Sequence, residues 1–202
     1  MNQTTQNNRF SFSLVIAIIF SPREAFGRLS GRPVILFSIG LMVLRYSVAT
    51  FSTVVNLYYH SVPMVLPPPV AIEPQRYRYY EIFWYGPYGI VMMIVITLVL
   101  LKLSRQMARG NKQLSISDML GITSLAFFTP WLVTSPVDFL MIAGGYGAPQ
   151  FLIPLHLSIL AWESWLVTVG VQTRFGLSKM QSYSLGLAAA GLFIAMGGPL
   201  IR

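Results

Sequence analysis

Few residues in this sequence can do chemistry, and most of those few sit inside apolar stretches. The 202-residue chain has six acids, two histidines and no cysteine. Four ionisable side chains fall within long hydrophobic runs: Arg45, Asp138, His156 and Glu163. The run from Ile153 to Thr173 is long enough to cross a bilayer, since roughly 20 residues at 1.5 Å each cover the ~30 Å hydrocarbon layer. Glu163 stands in its middle, and Arg45 stands in the middle of an earlier run. An ionised group at that depth costs about 3 kcal/mol by insertion scales and about 10 kcal/mol or more by simulation. Such a group must face protein, water or a partner. Three uses are open to the set: pairing that fixes helix register, a proton or ion pathway, or a site for a lipid headgroup or partner helix.

Other chemistries lack their residues. Without cysteine there are no disulfides, thiol nucleophiles or thiolate metal ligands. His60 and His156 form no zinc-ligand spacing such as His-Glu-x-x-His, so no metal site is expected. No Gly-x-Ser-x-Gly elbow, phosphate loop or dinucleotide fingerprint occurs. The expectation is a protein with no catalytic residues and no cofactor. An intramembrane hydrolase is the weakest of the functional classes.

The elements that must position the four groups are transmembrane helices. Hydrophobic residues make up 54% of the chain and charged residues only 10%, against about 25% charged in soluble domains. We expect an all-α integral membrane protein, residues 1–202 forming one domain. Its five spans lie at about 33–57, 82–103, 116–143, 152–173 and 183–201. The net charge of +8 comes from bases clustered between the apolar runs. That is the positive-inside pattern, so the partner is the bilayer and not nucleic acid. With a cytoplasmic amino terminus, that side holds ten bases: Arg9, Arg23, Arg28, Arg32, Lys102, Arg105, Arg109, Lys112, Arg174 and Lys179. The other side holds three: Arg76, Arg78 and Arg202. The carboxyl terminus is then outside.

Residues 1–32 precede the first span as a cytoplasmic tail and an interfacial segment. Phe10 to Phe20 is too short to span, and its flanks carry no small-x-small cleavage site, so it reads as retained. Ser21-Pro22-Arg23-Glu24 reads as a capping box. Ala25, Phe26 and Leu29 share a face, so this amphipathic segment is expected in the membrane surface. Two further capped starts lie at Ser115 and Ser178. Tyr77, Tyr79, Tyr80, Trp84, Tyr85 and Tyr88 crowd the start of the second span as an aromatic belt. Pro130 and Pro136 should kink or break the third helix, freeing carbonyls that Thr134, Asp138 or water would approach. Gly186 with Ala190, and Gly191 with Ala195, are one turn apart on the fifth helix and would let helices pack closely. Asp138 and His156 flank the Gly-rich turn 144–150 at similar depth. Arg45 and Glu163 lie near the midplane, where we expect a direct or water-bridged pair.

The order of these features resembles the Yip family, membrane proteins named for interacting with Ypt/Rab GTPases. The residues that carry the resemblance are Ser21-Pro22 with Ala25-Phe26, then Gly110-Asn111-Lys112 running into Ser115, Pro130, and Arg174-Phe175-Gly176-Leu177-Ser178. The short amino terminus is similar to that of prokaryotic members. Tyr85-Gly86-Pro87 opens the second span here, whereas the corresponding eukaryotic motif lies near the first, so it is not carried over. The resemblance implies five spans, a cytoplasmic amino terminus and a role in membrane organisation or traffic, with no active residues. For a bacterial inner-membrane protein of this kind, the implied partners are other membrane proteins or further copies of the chain. A small transporter or channel using the central charges is the alternative.

Overall fold

Apolar runs bounded by capping residues and glycines fold as α-helices throughout the described part of the chain. A computed structural model describes residues 12–29, 35–60, 86–108, 114–146 and 149–197. The helices are α1 (Phe12–Phe20), α2 (Pro22–Gly27), α3 (Ile35–His60), α4 (Gly86–Met107), α5 (Ile116–Ala143), α6 (Pro149–Phe175) and α7 (Lys179–Gly197). Four of them, α4 to α7, are long and apolar enough to cross a membrane. The helix of α3 runs 26 residues, but its described apolar part is the shorter stretch Ile35–Val48. α5 has the expected bounds, α4 ends about a turn beyond residue 103 and α6 runs from Pro149 to Phe175, while the expected boundaries at 33, 82 and 201 lie outside the described residues.

α5 is the axis of the bundle. It packs against α1, α3, α4 and α6, while α7 closes the far side against α6 and α4. Every residue from Met119 to Pro130 is buried, on all sides of the helix. A helix apolar all round is one enclosed by other helices. From Trp131 to Ala143 no residue is fully buried. Pro130 therefore marks the level at which α5 leaves the packed body.

The turns explain why neighbours run antiparallel. After α5, Gly145 adopts φ 87°. Its amide donates to the Ile142 carbonyl, and the Tyr146 amide donates to Met141. This pair of bonds is the Schellman termination, which favours glycine because φ is positive. Gly176, at φ 63°, ends α6 with its amide on the Gln172 carbonyl. Two residues later Ser178 and Gln181 cap α7 reciprocally: the Gln181 amide donates to Ser178 Oγ at 3.3 Å, and the Ser178 amide donates to Gln181 Oε1 at 3.0 Å.

This end of the bundle is also the basic end, and it is tied together. The Gln181 side-chain amide donates to the Met107 carbonyl, capping α4. Arg105 holds the Leu114 carbonyl through Nη2 at 2.9 Å. Ser115 Oγ accepts from the Asp118 amide, and Asp118 Oδ1 accepts from Arg174 Nε at 3.0 Å. That last contact joins the start of α5 to the end of α6.

Three expectations change here. Ser21 makes no side-chain cap at α2; Glu24 pairs with Arg28 instead, one turn on and exposed. Ala25, Phe26 and Leu29 are wholly buried, with α2 seated against α6. Protein rather than lipid thus covers the apolar face of this segment. Pro130 and Pro136 do not break α5, which is helical from Ile116 to Ala143. The hydroxyl of Thr134 donates to the Pro130 carbonyl at 2.8 Å, whereas the carbonyls that the two prolines leave without an amide are those of Ala126 and Leu132, four residues before each.

Candidate functional site: a buried ion pair in the bundle

Arg45 projects from α3 into the interior, between α5 and α6. Its Nη1 donates to Glu163 Oε1 at 2.8 Å. The two side chains are 9% and 1% exposed. The same nitrogen donates to the backbone carbonyl of Phe127. That carbonyl is the neighbour of Ala126, whose usual amide partner four residues on would be residue 130, a proline without an N–H. The charged pair thus sits where the α5 backbone is poorest in its own donors.

Aromatic rings enclose the guanidinium. Its central carbon lies 5.6–6.0 Å from the ring centroids of Tyr46, Phe127, Trp131 and Phe193. Phe127 and Phe193 stack on one another with centroids 5.3 Å apart. Each desolvated cation–π contact is worth about 0.5–2 kcal/mol. Arg45 therefore joins α3, α5, α6 and α7 through one side chain. Its planar fork suits this combination of carboxylate, carbonyl and ring faces.

Asp138 and His156 lie on the exposed part of the α5–α6 hairpin. His156 Nε2 is 3.4 Å from Asp138 Oδ1, and both side chains are about 30% exposed. His156 Nδ1 makes no hydrogen bond within the described residues. His156 and Glu163 are seven residues apart on α6, so they share a helix face. The four ionisable groups are thus gathered in two pairs, whose α6 members lie two turns apart.

The small residues of α7 divide. A Cβ on Gly186 would stand 2.1 Å from Thr168 Oγ1 and 2.6 Å from the Ser164 carbonyl, so α7 meets the α6 backbone there. Ala190 is half-buried, but Gly191 and Ala195 face outward, and a Cβ on Gly191 would touch nothing within 4 Å. The second of the expected packing pairs is therefore not a contact of this fold, because it falls on the opposite side of α7. Of the aromatic belt only Tyr88 lies within the described residues. Its hydroxyl donates inward, to the Met196 carbonyl at 2.8 Å.

Sequence reasoning missed several contacts. Gly89 and Gly170 are closer approaches than most of the α7 glycines: a Cβ would meet the Tyr46 ring at 2.3 Å and Ile122 at 2.6 Å. Thr97 and Thr123 join α4 to α5 at 2.7 Å. Polar residues inside apolar spans signalled the threonines; nothing local distinguished those two glycines from the exposed ones. No group of three or more metal-ligating side chains occurs among the described residues. The chain matches no protein-family model, no curated protein and no solved structure.

Proposed function

We propose that this integral membrane protein works without a catalytic centre, as a scaffold, a membrane-organisation or trafficking factor, or an accessory subunit of a membrane complex. In this reading the fold is Yip-like: five spans in a bacterial cytoplasmic membrane, amino terminus inside and carboxyl terminus outside. One observation carries it. The most costly charge in the membrane, Arg45, is spent on internal partners: Glu163, the Phe127 carbonyl and four rings. A buried pair with these additional bonds is suited to fixing register between helices. The bases of the basic end favour a cytoplasmic location for it by the positive-inside rule. Purification of the tagged chain from native membranes in mild detergent tests the proposal. A stoichiometric membrane-protein partner, or a homo-oligomer, is the expected result. A monomer with no partner in several detergents counts against it.

A second reading, a small transporter or proton channel, is favoured by the placing of His156 beside Asp138 and on the face of Glu163. Polar groups then line a route from the hairpin end toward the centre. Ion or proton flux in proteoliposomes, abolished by Asp138→Asn, would replace the scaffold reading with this one.

A further inference from the structure

The outward face of α4 is apolar along most of its length and basic at one end. Val91, Ile94 and Leu98 are exposed at intervals of three or four residues, and Lys102 and Arg105 continue the same stripe. From Val91 to Lys102 the stripe rises about 16 Å at 1.5 Å per residue, close to one leaflet of a ~30 Å hydrocarbon layer. At the basic end of the stripe a groove of about 360 Å³ opens on the surface, lined by Leu98, Leu101, Lys102, Arg105 and Gln106. Leu101 is buried and gives the groove an apolar wall, while the three polar side chains are exposed.

Arg105 is held in place from one side. Its Nε and Nη2 both donate to the Leu114 carbonyl, at 3.3 and 2.9 Å, just before the Ser115 cap of α5. A guanidinium carries five N–H donors in one plane, so the edge formed by Nη1 and Nη2 remains for an oxyanion, in the bidentate geometry that a phosphate suits. Lys102, one turn away, adds an ammonium on a flexible stem. The acids of the chain are engaged elsewhere or distant. Asp118 is bound to Arg174, Glu24 to Arg28 and Glu163 to Arg45, and Asp138 stands beside His156. The other two acids of the sequence, Glu73 and Glu81, precede α4 in the chain. The start of that helix at Gly86 lies roughly 24 Å along its axis from Lys102.

We propose that this groove binds one anionic phospholipid, with its phosphate on Arg105 and Lys102 and an acyl chain along Leu98, Ile94 and Val91. Two cations at one site call for a headgroup of net negative charge, since a choline headgroup would bring a third cation beside them. The apolar stripe selects a lipid over a soluble phosphate, because it has the length of a chain and leads from the groove toward the midplane. The site requires only that the bundle lies in a membrane, and it holds for a scaffold and for a transporter alike.

The full-length chain in detergent is titrated with dioleoyl phosphatidylglycerol, and bound lipids are counted by native mass spectrometry. One lipid should bind well ahead of any others. Dioleoyl phosphatidylcholine, with the same chains and phosphate, should bind several-fold more weakly. Lys102 makes no hydrogen bond or ion pair among the described residues, so Lys102→Glu leaves the contacts of the fold in place. That variant should weaken phosphatidylglycerol binding by more than about fivefold, the factor that one basic residue contributes at an anionic surface. Lys179→Glu makes the same change of net charge at an exposed position outside the groove, and should shift binding by less than about twofold. Equal losses in the two variants would reveal diffuse attraction and overturn the site, as would equal affinity for the two lipids. Glycerol 3-phosphate carries the phosphate without the chains and should not displace the lipid at equal concentration. Displacement would assign the groove to a soluble phosphate and overturn the lipid.

Discussion

Arg45 Nη1 stands 2.8 Å from Glu163 Oε1, across 118 positions of the chain. The contact pins α3 to α6, and the Phe127 carbonyl pins both to α5 beside Pro130. Removing either charge strands the other in a buried site.

Arg45→Leu and Glu163→Gln should each lower stability by about 3–5 kcal/mol, because a buried pair is broken from one side. The double variant should recover much of the loss. Unfolding in detergent measures all three, and strict additivity would argue against the pair. Arg45→Lys should not rescue, since an ammonium cannot reproduce the planar fork against Glu163, Phe127 and the rings.

Gly186 and Gly191 should respond in opposite directions. Gly186→Ala pushes a methyl into the Ser164 backbone and should cost about 1–3 kcal/mol by overpacking. Gly191→Ala meets nothing and should gain up to about 1 kcal/mol from helix propensity. Equal effects on thermal midpoint would mean that α7 is rotated from the face described.

Asp138→Asn should change stability by no more than about 1 kcal/mol, as expected for a partly exposed pair. Proteoliposome flux measured on the same variant separates the two functional readings. A large stability loss would show that the pair is more enclosed than its exposure indicates.

Reporter fusions after Leu57, Arg109, Gly147, Gly176 and Arg202 should report outside, inside, outside, inside, outside. A cytoplasmic carboxyl terminus would overturn the orientation. The fusion after Leu57 is the critical one, because the described apolar part of α3 is the short stretch Ile35–Val48.

The helices were legible because apolar runs of membrane length admit few other structures, and because Ser115 and Ser178 carry the polar partners that caps require. Ser21 misled: Ser21 and Glu24 have the same capping-box spacing, but Arg28 competes for Glu24 one turn on. Position along a helix revealed that Arg45 and Glu163 share a depth. It could not reveal the four rings, since Tyr46, Phe127, Trp131 and Phe193 come from three helices and look like ordinary span residues in sequence. Face is also hard to read on α7. Its small residues occur almost all round the helix, so spacing alone does not separate Gly186, against α6, from Gly191, facing outward.

The long separation of Arg45 from Glu163 has a consequence in time. At about 5–20 residues per second, synthesis makes Arg45 wait roughly 6–24 s for its carboxylate. Phe127 and Trp131 arrive earlier, so rings and a carbonyl precede the counter-ion. During that interval α3 carries a charge without its counter-ion and has reason to linger beside the insertion machinery. Chains stalled just before Glu163 emerges should cross-link to that machinery through α3, and chains stalled after α6 has entered should not. The counter-ion, which arrives before the last ring, Phe193, would then act as the release signal for α3.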